Sequence, residues 1–170
     1  LLPGLGIREF VNADLIARGL SPLSPDGAEI PAGRLMLERI RALVQRRESF
    51  AFETTLASRS FAPFLADQRR QGYEVRIHYV WLKSADLAVS RVEERVRMGG
   101  HGVAEEVIRR RYVRGLRNFF TLYMPIADAW ALSDNSASEL VLIAEGGINQ
   151  NRVIHEAKIF QKIERAVRRN

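Results

Sequence analysis

RVEERVRMGGHGVAEEVIRRRYVRG, Arg91–Gly115, is the most informative stretch of the chain. It sets arginines on two helical segments and joins them through Gly99-Gly100-His101-Gly102. Arginine is always charged and makes bidentate contacts to phosphate. Glycines leave the connection free to bend. Such a hairpin suits a helical lid that closes over a phosphate-bearing ligand and excludes water. Arginine-rich helices are also common as plain solvated faces, so the weight of this reading depends on what surrounds the segment.

Outward from the hairpin, strand and helix signals alternate. N-terminal to it, Ser84 caps a helix predicted through Arg97, with Ala88, Val89, Val92 and Val96 inward. Before that, Tyr73–Leu82 alternates as a strand, with Tyr73, Val75, Ile77, Tyr79 and Trp81 on one face. Ser60–Gln71 reads as a helix closed by Gly72, Ser49–Phe52 as a strand, and Gly33–Arg47 as a helix carrying Met36, Ile40, Leu43 and Val44 on one side. Ile7–Val11 is a short strand ending in Asn12-Ala13-Asp14, and Gly19–Pro31, with prolines at 22, 25 and 31, reads as turn. C-terminal to the hairpin, Ala104–Tyr123 continues as a helix. Ala129–Leu132 and Glu139–Ala144 read as strands, and Asn149–Arg168 as a closing helix with Val153, Ala157, Phe160, Ile163 and Val167 at helical offsets. The alternation predicts one α/β domain over residues 1–170: a mostly parallel sheet with helices on both faces, plus a helical lid at about 91–115.

Composition narrows the class. The 170 residues are 46% hydrophobic and 27% charged, ordinary for a globular protein, and include no cysteine, which excludes disulfides and thiolate metal sites. No apolar run is long enough to span a bilayer, and a cytoplasmic location is the default expectation. The net charge of +6 favours anionic partners. The cations gather in the hairpin, in Arg39–Arg47 and in Arg165, Arg168 and Arg169, with no nucleic-acid-binding signature, which argues for compact phosphate recognition over nucleic acid. His78, His101 and His155 lack metal-ligand spacing, and His78 reads as a packing residue.

In an open parallel sheet, ligands bind beyond the carboxyl ends of the strands. Three strands here end in polar groups: Asp14, Glu53-Thr54-Thr55, and Asp134-Asn135. Each alone is an ordinary turn or cap residue. Together, beside an arginine hairpin, they make a candidate site in which Asp14 is a general base for phosphoryl transfer to a hydroxyl. Thr54 and Thr55 offer hydroxyls. Glu38 could accept from a polyhydroxylated substrate, or be a surface carboxylate paired with Arg34 or Arg41.

With these residues assembled, the chain resembles the zeta-toxin family of P-loop kinases, in its chromosomal bacterial branch. The matching segments are FVNADLIARGLSP (10–22), AGRLMLERI (32–40), SFAFETTLASRS (49–60), RVEERVRMGGH with VIRRRYVRGLRNF (91–119) and DNS (134–136). The resemblance implies an ATP- or GTP-dependent, Mg2+-requiring small-molecule kinase with a three-layer fold. UDP-N-acetylglucosamine is the acceptor of the family's best-known toxins, and an antitoxin is a partner by analogy. It implies Asp14 as catalytic base, Arg95 and Arg110 (with Arg109 as alternative) and Asn135 toward the nucleotide, Glu38, Thr54, Thr55 and Arg59 toward the substrate, and Glu53 toward a magnesium-bound water. Two departures stand out. Ala57 occupies a position where the toxins carry arginine, with Arg59 nearby as a substitute. The Gly-x-x-x-x-Gly-Lys-Ser/Thr loop is not among these residues, and Gly4-Leu5-Gly6 does not replace it. The expectation is therefore a fragment without its first strand, loop and helix, binding ATP weakly and inactive by itself. The alternatives are a catalytically dead remnant that binds an acidic protein or nucleic acid, and a kinase for another hydroxyl substrate.

Overall fold

A computed structural model describes residues 6–22, 27–100 and 102–169. Pro25, His101 and the segment Gly4-Leu5, all singled out in the sequence, lie outside the described residues, as does the Arg169 side chain. The chain is α/β and divides into two compact units: Leu1–Thr54 with Arg95–Gly102, and Thr55–Glu94 with Val103–Asn170.

The first unit contains β1 (Glu9–Val11), α1 (Ala13–Leu20), α2 (Glu29–Gln45) and β2 (Phe50–Phe52). β1 and β2 pair in parallel, with Glu9 opposite Phe50 and Val11 opposite Phe52, and each pairs on one side only among the described residues. α2 is the main support. Ala32, Met36, Ile40 and Leu43 recur at helical spacing and are all buried. The helix begins four residues before the predicted Gly33, and Pro31 is absorbed in its first turn, where a missing N–H costs nothing. α1 is a correction: two turns of helix follow directly on the strand, through residues that carry no predicted element, and reach Leu20, two residues into the predicted turn. Ala17 is its buried contact, and Asn12 supplies the cap.

The second unit contains α3 (Phe61–Arg70), β3 (Arg76–Trp81), most of α4 (Ala85–Arg97), α5 (Glu105–Asn118), β4 (Ala129–Asp134), β5 (Val141–Gly147), β6 (Gln150–Ile154) and α6 (Ala157–Arg169). Its sheet runs β3-β4-β5-β6. β3 and β4 are parallel, while β5 and β6 add an antiparallel edge. β3 alternates as its sequence predicts, with Ile77, Tyr79 and Trp81 inward and Arg76, His78 and Val80 exposed. His78 is therefore not a packing residue; its Nε2 lies 2.9 Å from the buried Ser133 hydroxyl. Val96, expected inward on α4, is also exposed.

The predicted helix over 149–168 is replaced by β6 and the shorter α6, and Val153 is an exposed strand residue. The misleading signal was Gly146-Gly147, which resembles a loop. Both glycines lie inside β5 because the neighbouring strand leaves no room. A Cβ on Gly147 would come within 1.9 Å of the Asp128 carbonyl, and one on Gly146 within 2.9 Å of the Trp130 ring.

The core gathers Trp81, Leu116, Phe119, Tyr123, Trp130, Leu132, Ile143, Phe160 and Ile163. Phe119 stacks on Tyr79 at 4.8 Å and meets Trp130 edge-on at 6.2 Å. After α5 the chain widens into a π-helical turn over Phe119–Tyr123, which turns both Phe119 and Tyr123 fully into the core.

Three helices end in the same left-handed cap. In α3, Tyr73 N–H donates to Gln68 O and Gly72 N–H to Arg69 O, with Gly72 at φ +97°. In α4, Gly100 donates to Arg95 O and Gly99 to Val96 O, with Gly99 at φ +83°. In α2, Glu48 donates to Leu43 O and Arg47 to Val44 O, but here the left-handed residue is Arg47 at φ +58°. An L side chain in that region costs about 1–2 kcal/mol. Arg47→Gly is therefore expected to raise stability by about 0.5–1 kcal/mol, after the entropy cost of glycine, read as a higher urea midpoint at unchanged slope.

Asp128 guards the entry to β4. Its carboxylate accepts from Arg69 Nε at 2.7 Å and from Val75 N–H at 2.9 Å. Burial alone would raise its pKa, but these donors outweigh it and hold the carboxyl below its ordinary value of 3.8. A depressed carboxylate stabilises the fold above its unfolded pKa and loses that contribution as pH falls through the folded one. Asp128→Ala is expected to cost about 1–2 kcal/mol at pH 7, the pair being partly open to solvent, with the difference from the parent shrinking below about pH 4 in denaturation curves.

Candidate phosphoryl-transfer site

Asn12 organises the first unit's polar cluster. It follows β1 in extended conformation, and its Oδ1 accepts the Leu15 N–H at 3.1 Å, which starts α1. Its Nδ2 donates to Glu53 Oε2 at 2.6 Å. The Glu53 N–H in turn donates to Val11 O at 3.1 Å, which carries the parallel ladder one residue past β2. Thus the ends of β1 and β2 are tied through both backbone and side chain. Asp14 follows in the first turn of α1, a favourable place for a carboxylate. It is exposed, and Arg95 Nη1 lies 3.8 Å from its Oδ2.

Arg95 is fixed by the end of its own helix. Its carbonyl takes the Gly100 N–H at 2.8 Å. A Cβ at position 100 would fall 2.6 Å from Arg95 Cγ and 2.7 Å from its carbonyl oxygen. The glycines read as a hinge thus have a definite local job: they cap α4 and leave room for the Arg95 side chain. Glu38 is exposed on α2, without an ion pair among the described residues, so the expected pairing with Arg34 or Arg41 is not formed. Arg39 beside it is engaged with Glu9 at 2.6 Å. Asp14, Glu38, Glu53, Thr54 and Arg95 all belong to this first unit.

The remaining candidates belong to the second unit. Thr55 and Arg59 are exposed on a loop whose carbonyls are pinned from behind. Asn118 Nδ2 donates to Leu56 O at 2.8 Å and Ala57 O at 3.2 Å, and the Tyr123 hydroxyl donates to Ser58 O at 2.5 Å. Leu56 takes a left-handed φ of +55° in this turn. Gly115 of α5 lies under Thr55; a Cβ there would be 2.2 Å from the Thr55 carbonyl oxygen. Gly115, Asn118 and Tyr123 are positioning residues that sequence reasoning passed over. The only signal was their place within the resembling segment and just beyond it.

Arg109 is held by Asp86 at 2.6 Å and by Glu105 at 2.8 Å. Arg110 is exposed and makes no ion pair among the described residues, so of the two it is the cation open to a ligand. Asn135 directly follows β4, its N–H donating to Trp81 O at 2.9 Å. The adjacent Asp134 carboxylate is occupied by the Ser136 N–H and hydroxyl. Among the described residues no group of three or more His, Asp or Glu side chains gathers around a common point. A lone carboxylate such as Glu53 suits a magnesium ion held mainly by phosphates and water rather than a protein cage. No helix among the described residues is long and apolar enough to cross a membrane.

An uncharacterized protein of Haemophilus influenzae is 28% identical over 106 residues, which is 62% of this chain and 76% of the relative. No solved structure matches the chain significantly. The family model described as "Zeta toxin" matches residues 27–125, which include Glu38, Glu53, Thr54, Thr55, Arg59, Arg95, Arg109 and Arg110; Asp14 and Asn135 fall outside the matched stretch. Since that match spans more than half of the chain, the protein belongs to the zeta-toxin family, a family of P-loop kinase-like proteins.

Proposed function

We propose that this chain carries the acceptor, base and lid portions of a zeta-toxin-type kinase that transfers the γ-phosphoryl group of ATP or GTP to a hydroxyl of a small molecule. The observation that carries the proposal is the first unit's cluster: an exposed Asp14 at a helix start, 3.8 Å from Arg95, beside a Glu53 anchored by Asn12. In this reading Asp14 orients the acceptor hydroxyl and takes its proton as the oxygen bonds to phosphorus and the nucleoside diphosphate leaves. Arg95 offsets charge on the transferring group, as an arginine does without proton bookkeeping. Arg110 and Asn135 are assigned to the nucleotide, and Glu38, Thr54, Thr55 and Arg59 to the acceptor. Magnesium, when bound, neutralises the phosphates, and Glu53 would hold one of its waters. Residues 91–115 are assigned as the lid. The phosphate-cradling glycine loop is not among the 170 residues.

A nucleotide sugar such as UDP-N-acetylglucosamine is the first acceptor to offer. Ala57, in the place of the toxins' arginine, favours a different hydroxyl acceptor, such as a nucleoside or an antibiotic. An antitoxin partner and a cytoplasmic location are proposed by family analogy. The test offers labelled ATP and a panel of hydroxyl acceptors to the full-length protein and to Asp14→Asn. Label is expected on one acceptor, with the rate reduced about 10²–10⁴-fold by the substitution. Transfer indifferent to Asp14 would overturn the assignment, and no transfer to any acceptor would favour a binding protein.

A further inference from the structure

β6 is the outer strand of the second unit's sheet, paired with β5 on one side and with no described strand on the other. All of its residues are exposed. Seven large apolar side chains of this unit are exposed among the described residues, and five of them, Leu140, Val141, Ile148, Val153 and Ile154, lie on β6, on β5 or at the ends of β5. An unpaired edge with this much apolar surface is a template for another strand. Natural edges are commonly guarded by outward charges. The charge on this edge is Arg152, and it is turned back: its Nη1 lies 3.4 Å from Glu164 Oε1 and its guanidinium 5.7 Å from the centre of the Phe160 ring. None of these residues has a role in the proposed reaction.

The edge is also self-complementary. The His155 N–H donates to Ile143 O at 2.9 Å. Amide groups alternate sides along an antiparallel ladder, so Val153 also faces β5, and the Ile154 N–H and C=O point outward. An antiparallel copy centred on Ile154 exchanges both of these bonds and brings the two Ile154 side chains together. Two residues to either side, Arg152 comes opposite the partner's Glu156, and Glu156 opposite the partner's Arg152. Glu156 makes no ion pair among the described residues, and Arg152 is half exposed with donors to spare. An axis at Val153 would set Arg152 against the partner's Ile154 instead, so charge complementarity selects the Ile154 register. Ala157 and Gln161 share the Glu164 side of α6 by helical spacing, so small or uncharged side chains accompany Glu164 on the side that faces Arg152.

We propose that β6 pairs with β6 of a second copy of this chain about a two-fold axis at Ile154, joining two four-stranded sheets into one. Such a closed pairing covers the open edge of both copies at once. A second copy fits better than an unrelated strand, because the same short segment carries both halves of the charge pattern.

The test measures the mass of the full-length protein by light scattering during size exclusion. The mass is expected to rise toward two chains between about 1 and about 100 µM. Ile154→Lys, at an exposed position, sets two like charges on the axis and is expected to weaken the association at least about tenfold. Arg152→Glu and Glu156→Arg each oppose like charges on both sides of the axis, and each alone is expected to be monomeric. Mixed in equal amounts, they place opposite charges on both sides and are expected to regain the doubled mass, which a sticky apolar surface without this register does not predict. A parent that is monomeric at about 100 µM overturns the proposal and leaves the edge to a strand of another protein. A dimer unmoved by Ile154→Lys, or a mixture that stays monomeric, overturns it equally.

Discussion

The amide of Asn12 is the joint on which the first unit's polar chemistry depends. Two short parallel strands of three residues each have little pairing of their own. Asn12 lets them end in a defined geometry, because one side chain serves both neighbours: its oxygen starts α1 and its nitrogen fastens Glu53. An N-cap of this kind contributes about 0.5–2 kcal/mol to its helix. The larger effect is on direction. Once the first turn of α1 is set, the outlook of Asp14 is set with it, and the carboxylate meets Arg95 from a helix distant in sequence.

Arg95 is prepared by similar means. Arginine loses considerable side-chain entropy when it is held in place. Here much of the constraint comes from the main chain: a left-handed glycine ends the helix, the next glycine folds back onto the Arg95 carbonyl, and the missing Cβ makes room for the arginine's own methylenes. Surface ion pairs contribute little to stability, so the Asp14–Arg95 pair is a weak brace, and its weight in the proposed function comes from where it sits.

The parts of the fold legible in the sequence are those governed by local period. The stripe Met36, Ile40, Leu43 on α2 and the alternation along β3 needed no knowledge of neighbours. What escaped depended on partners far along the chain. α1 is only two turns long, and its Asn12 signal was read as the end of a strand. Gly146 and Gly147 are conditioned by Trp130 and Asp128, so their purpose is invisible until β4 lies beside them, and with it went the β5–β6 hairpin. The polar candidates were legible as residue types at strand ends. Their pairings were not: Asn12 with Glu53, Arg109 with Asp86 and Asn118 with the Leu56 carbonyl are all long-range contacts. The family match reaches the middle of the chain and leaves Asp14 to be argued from geometry.

Gly115 has a mechanical consequence. With the Thr55 backbone seated directly on α5, and the carbonyls of Leu56, Ala57 and Ser58 just after it stitched down by Asn118 and Tyr123, helix and loop form one stiff lever. Any rotation of α5 must carry Thr55 along with it, so the threonine keeps its station relative to the arginines of that helix whatever the helix does. The two groups cannot be retuned separately by motion; only a change of residue at the fulcrum would uncouple them.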